Sequence, residues 1–245
     1  MRTFSGLLLC ALALPALAQR GGDLQARIVY AYQTEDLNAL RDLRQTLGAK
    51  LAAGADGAAL RYYLAQADYR YAQLDGRAAQ RGAAAAAADC VAQLGVLLKR
   101  RPRSAEALTL QGACDGELAA SSRFEGPLLR ARADRRLREA LRIDPHNPRA
   151  LYLKAQFALA RSKPGSAAAA RALLRLRRAV RSFEHTSATS PDAPGWGHAE
   201  AYLALGHQLR LRGDVLGARN WIERALLAAP AYKAARRELA ILETR

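Results

Sequence analysis

A chain of 245 residues holds one or two ordinary domains, and this one is 51% hydrophobic and poor in aromatics. Ala, Leu and Arg dominate it, all good helix formers, while runs of Val, Ile and Thr that would build strands are nearly absent. A β-rich fold is thereby excluded and an all-α fold expected; the formal net charge of +16 suits an anionic surface or nucleic acid.

The chain opens with Met1-Arg2, an apolar run over 4–14, then Pro15 and the small-x-small triplet Ala16-Leu17-Ala18. This order is that of a secretory signal peptide over 1–18, cut after Ala18. The apolar run is shorter than the ~20 residues that span a bilayer, so the mature product is expected to be periplasmic or secreted, with no integral membrane segment. Losing Arg2 leaves a charge of +15. An exported protein seldom meets nucleic acid, so none is expected as a partner. Residues 19–56 read as an N-terminal helical segment, with one or two short helices in 23–47 and Thr34 as an N-cap. Four helix pairs follow over 57–245: 58–74 with 78–100, 104–120 with 126–143, 148–160 with 166–183, and 198–212 with 215–228. A last helix over 232–244 carries Arg236, Arg237, Glu238 and Glu243, the polar outer face that a terminal cap needs.

One cadence recurs within these pairs. Cys90, Leu94 and Leu97 precede Pro102; Ala133, Leu137 and Ala140 precede Pro145; Ala218, Ile222 and Ala225 precede Pro230. The steps of four and three residues keep each trio on one helix face, and the proline five residues later forbids continuation. Upstream of the last trio stand Tyr202, Leu205-Gly206 and Leu209, with Gly206 twelve residues before Ala218. Together these positions resemble the tetratricopeptide repeat, W-x2-L-G-x2-Y followed by A-x3-F and P on a 34-residue period. The match is close over 199–232. It is looser over 105–145 and over 148–184, where Ala172, Leu176 and Ala179 keep the spacing and Glu184 replaces the proline.

The resemblance implies a right-handed α-solenoid of about four hairpins plus a C-terminal capping helix, whose concave wall, made by the first helix of each pair, captures a peptide segment or partner protein. Matching first-helix positions places Arg149, Tyr152, Gln156, Leu203, His207, Arg210 and Arg237 on that wall, with Glu106, Glu117 and Glu200 beside them. Its arginines would suit a carboxylate-bearing segment, since guanidinium forks bind carboxylates bidentately. The first pair is too irregular for such transfer; of its Tyr62, Tyr63, Tyr69 and Tyr71, most are expected in the core and one or two at the groove. The alternative reading is an Arg-rich module held on an anionic envelope surface, lipid or cell-wall polymer.

Cys90 and Cys114 each lie twelve residues from Pro102. At about 1.5 Å rise per residue both sulfurs stand ~18 Å from that turn, so a disulfide is possible in an exported chain and two buried thiols are the alternative. His146, His185, His198 and His207 form no H-x-x-x-H or H-E-x-x-H pair, and neither a G-x-S-x-G nor a phosphate loop occurs. No catalytic residue, metal site or cofactor is therefore expected. The segment 186–197 reads as a loop that could fold over the groove as a lid, with Trp196 between two glycines as its anchor.

Overall fold

Side-chain caps set where several of the helices begin. In the computed structural model, which describes residues 15–77, 82–122, 124–189 and 194–244, Ser104 accepts a hydrogen bond from the Ala107 amide, Asn147 from Ala150, and Asp214 from Gly217. Each satisfies one of the donors that a helix start leaves without a partner. Pro102, Pro145 and Pro230 fall in the turns just before the next helix.

Eleven helices result among the described residues: α1 (Pro15–Gln33), α2 (Leu37–Ala52), α3 (Ala58–Arg77), α4 (Ala83–Arg100), α5 (Ala105–Ser121), α6 (Gly126–Ile143), α7 (Pro148–Ala160), α8 (Ala167–Thr189), α9 (His198–Arg210), α10 (Val215–Ala228) and α11 (Lys233–Glu243). They pack as successive hairpins, each stacked on the next, an all-α solenoid. Most of the expected leader, 1–14, lies outside the described residues; α1 starts at Pro15.

Three expectations change. Thr34 caps nothing: its hydroxyl donates back to the Tyr30 carbonyl at the end of α1 (2.9 Å). Glu35 then turns the chain with a left-handed φ of 54°, and Asp36 becomes the N-cap of α2. The segment before residue 57 forms a hairpin of its own, α1 with α2, which extends the stack to five pairs plus α11 among the described residues. Helix α8 runs to Thr189, past the expected end at 183.

The recurring trios are the spine of the stack. Cys90 and Leu94, Ala133, Leu137 and Ala140, Ala172, Leu176 and Ala179, and Ala218, Ile222 and Ala225 have no exposed surface. Burying one such Leu or Ile contributes about 1.5–3 kcal/mol. The glycines explain why the helices approach so closely. A Cβ on Gly206 would stand 2.7 Å from Ile222 Cγ1 and 2.9 Å from the Ala218 carbonyl, and one on Gly112 would meet Leu137 and Ala133 at 3.1–3.2 Å. The same three-residue contact thus recurs in two hairpins. Cys90 and Cys114 are joined in a disulfide, with Cα atoms 6.2 Å apart, which ties α4 to α5 across the hairpin boundary.

Candidate functional site at the inner wall

The first helix of each hairpin faces inward, and there the chain departs from an open groove. The two ends of the solenoid meet through a ring contact and an ion pair, beside an apolar cluster that takes in Ile28 of α1 and Ala235 of α11. The Tyr32 and Tyr232 rings lie 6.3 Å apart. Beside them Arg237 donates to Glu35, 2.7 Å away and 202 residues distant in sequence.

Between the ends the wall is filled. Arg70, at the middle of α3, donates to the Glu200 carboxylate on α9; the two side chains are 2% and 5% exposed. Its guanidinium stands 3.9 Å from the centre of the Tyr32 ring and 5.2 Å from those of Tyr69 and Trp196. Burial pulls the Arg70 pKa down, but the Glu200 carboxylate and neighbouring tyrosines outweigh it, so the cation persists. Glu200 also accepts from the Gly197 amide (2.9 Å), closing the start of α9. Trp196 is buried, and its indole N–H donates to the Tyr62 hydroxyl at 3.0 Å. The 194–197 segment is therefore part of the wall, not a lid above it; residues 190–193 of that loop lie outside the described residues. Gly197, at φ 101°, makes this insertion possible, because a Cβ there would strike the Phe183 ring at 2.7 Å.

Openings lie on both sides of this plug. At the N-terminal end of α3, Tyr62, Tyr63, Gln25 and Pro194 line a small cavity of about 230 Å³. Tyr69 and Tyr71 are in the core. At the other end of α3 a wider mouth of about 690 Å³ opens, lined by Tyr152 and Gln156 of α7, Leu203 and His207 of α9, and Arg237 of α11, with Tyr32, Gln73, Arg77, Gln208, Tyr232 and Glu238. Five of the seven positions expected on the concave wall are thus brought together.

The other two are not at the mouth. Arg149 is buried and donates to Glu106 at 3.0 Å, alongside Asn147 at 2.8 Å; its guanidinium stands 5.6 Å from the Trp196 and Phe183 ring centres. Arg210 donates to Glu238 at 2.6 Å, which His207 also contacts at 2.8 Å. Both guanidinium groups already hold carboxylates of the chain itself.

Arg77, Gln73 and Tyr32 join the mouth without having been expected there. Arg77 is exposed and donates to the Tyr32 hydroxyl (2.7 Å), and it forms no ion pair among the described residues. The signal was present: Gln66, Arg70, Gln73 and Arg77 follow one another at steps of four, three and four, a polar stripe along a helix otherwise largely buried. The mouth therefore offers amide donors and acceptors from Gln73, Gln156 and Gln208, tyrosine rings, and a cation at Arg77, while the Glu200 and Glu238 carboxylates in its lining are held by Arg70 and Arg210. That chemistry suits hydrogen bonding to a polypeptide backbone and stacking on its side chains. Among the described residues no group of His, Cys, Asp and Glu could hold a metal ion.

No protein-family model matches the chain, and no curated protein matches its sequence. Among solved structures it is similar to the crystal structure of a thermophilic TPR protein from Thermus thermophilus, with a TM-score of 0.61 and 16% identity, over 93% of this chain and 100% of that one. The recurring close contact of glycine with alanine and a branched aliphatic residue, the stacked hairpins and this shared architecture together give the chain the fold of the tetratricopeptide-repeat proteins.

Proposed function

We propose that this chain is a non-catalytic scaffold that holds a peptide segment or partner protein at the mouth between α7, α9 and α11. The observation that carries the reading is the position of this wide opening in an inner wall otherwise filled by Arg70, Glu200 and Trp196 among the described residues. A mouth of about 690 Å³ falls in the range that small ligands and short peptide segments fill. Fold supports the same class of work, since stacked hairpins expose a wall free of core duty. Arg77 favours an acidic or carboxylate-bearing segment. We place the protein in the periplasm or outside the cell, because residues 1–18 have the order of a cleaved leader and a Cys90–Cys114 bridge is characteristic of oxidising compartments.

A photo-crosslinking amino acid placed at Gln156 or Leu203 tests this in the living cell. The expected result is a discrete protein adduct at both positions and none at Ala84, exposed on α4. Adducts equal at all three positions, or absent from all three, would reject the mouth as the binding site. Fractionation of the adduct tests export: recovery in the cytoplasm alone would reject it.

A further inference from the structure

The outer wall presents a second surface, on different residues. Helix α8 carries Arg171, Arg175, Arg177, Arg178 and Arg181, all exposed, and no acidic residue before Glu184. Arg171, Leu174, Arg175 and Arg178 follow at steps of three, one and three, opposite the buried Leu173, Leu176 and Val180. None of these arginines is in an ion pair among the described residues; Arg178 donates to the Pro145 carbonyl at 3.4 Å. Helix α6 is also basic, with exposed Leu128, Arg135, Arg138 and Arg142 opposite Leu129, Ala133 and Leu137, although it carries two half-buried acidic residues, Asp134 and Glu139. Of these arginines Arg138 reaches a described carboxylate, Asp134 at 4.0 Å. The two helices are joined where Arg178 and Ser182 donate to the turn that ends α6. On α10, in contrast, Arg219 and Arg224 are matched to Glu223 and Glu184. Like charges at i,i+4 repel, so the arginines of α8 are unfavourable alone and, with the net-basic α6 beside them, favourable against a dense anionic surface.

We propose that the convex face of α6 and α8 docks on an anionic phospholipid bilayer. Lipid is favoured over a soluble polyanion because Leu174, 62% exposed, stands between Arg171 and Arg175, and Leu128 and Phe124, 69% and 96% exposed, lie in the first turn of α6 and just before it. A headgroup layer accepts both kinds of side chain: arginines bind phosphates, and apolar residues enter the acyl boundary. A soluble polyanion offers nothing to leucine or phenylalanine. The proposed attachment is peripheral; no helix among the described residues is long and apolar enough to cross a membrane.

Co-sedimentation with vesicles tests this, comparing phosphatidylglycerol mixed into phosphatidylcholine with phosphatidylcholine alone. Four proteins are compared: the full chain, an Arg171→Gln/Arg175→Gln/Arg178→Gln variant, a Leu128→Ser/Leu174→Ser variant, and Arg219→Gln as the control. All carry the same first 18 residues, so any contribution of that segment cancels. Each arginine near such a surface is worth roughly a fivefold change in affinity, so the triple variant should bind phosphatidylglycerol vesicles about 100-fold more weakly. The leucine variant should bind more weakly too, and Arg219→Gln should be unchanged. Thermal melts show whether each variant is folded, and the lipid preference of the unaltered chain is a readout independent of any substitution. Equal binding to both vesicle types would overturn the proposal. So would a leucine variant that binds as the parent does, which would assign the face to a soluble polyanion.

Discussion

Arginine meets two fates in this molecule. On the inner wall Arg70, Arg149 and Arg210 are each closed on a carboxylate of the chain, and Arg70 is further enclosed by three aromatic rings. On the outer wall Arg171, Arg175, Arg177 and Arg181 stand in water with no carboxylate partner among the described residues. The same side chain is structural in the first place and unsatisfied in the second. Composition alone reports the sum of the two and hides the difference. What separates them is burial: removing a partner from a buried charge is costly, whereas an exposed charge is hydrated whatever its neighbours are.

Substitutions sharpen this contrast, and they rank by burial. Arg70→Met leaves Glu200 buried without its counter-charge and should lower stability by about 3–5 kcal/mol in urea unfolding. A loss under ~1 kcal/mol would mean that water reaches the pair. Asp68 gives the next effect. Burial pushes its carboxyl up to about 6, against the pull of Arg44 2.5 Å away. The native state therefore holds a proton that the unfolded chain, with a carboxyl near ~3.9, releases earlier. The resulting stabilisation is complete below pH ~4 and is lost as pH rises to about 6, an effect on the order of 2–3 kcal/mol. In Asp68→Asn this slope between pH ~4 and ~6 should disappear from the denaturation midpoints.

Arg237→Ala removes the clasp to Glu35, in which the arginine is 58% exposed, and should cost only about 0.2–1 kcal/mol. Arg175→Gln on the outer wall should leave the melting temperature within the shift of ~0.5 kcal/mol that surface changes produce. If Arg175→Gln were as damaging as Arg70→Met, the distinction between the walls would fail.

The repeating face was legible in sequence because each of its contacts is local. Ala218, Ile222 and Ala225 declare a helix face within about two turns, Gly206 marks the close approach twelve residues before Ala218, and Pro230 marks the end. All of these positions pack as their spacing implies. The wall positions from α7, α9 and α11 that line the mouth, Tyr152, Gln156, Leu203, His207 and Arg237, were legible for the same reason. What stayed hidden is non-local. Arg70 and Glu200 are 130 residues apart, Arg237 and Glu35 are 202 apart, and no periodicity links either pair. Trp196 between two glycines signalled an insertion, but its direction depends on Tyr62 and Tyr69, which come from a hairpin whose repeat pattern is degraded. Arg149 and Arg210 occupy repeat positions that face inward; their carboxylate partners on neighbouring elements decide that they hold the fold together there.

The closure of the solenoid on itself is tested most directly by one distance. Asn38 at the start of α2 and Lys233 at the start of α11 are both exposed and border the same surface depression. Spin labels on Asn38→Cys and Lys233→Cys, with Cys10→Ser to leave no other free thiol, report the separation of the two ends by pulsed electron resonance. A single short, narrow distance is expected, unchanged in high salt because the Tyr32–Tyr232 ring contact holds the seam and the exposed Arg237–Glu35 pair adds little to it. A long or broad distribution would show an open solenoid whose inner wall is not plugged, and would contradict the account of the mouth built on it.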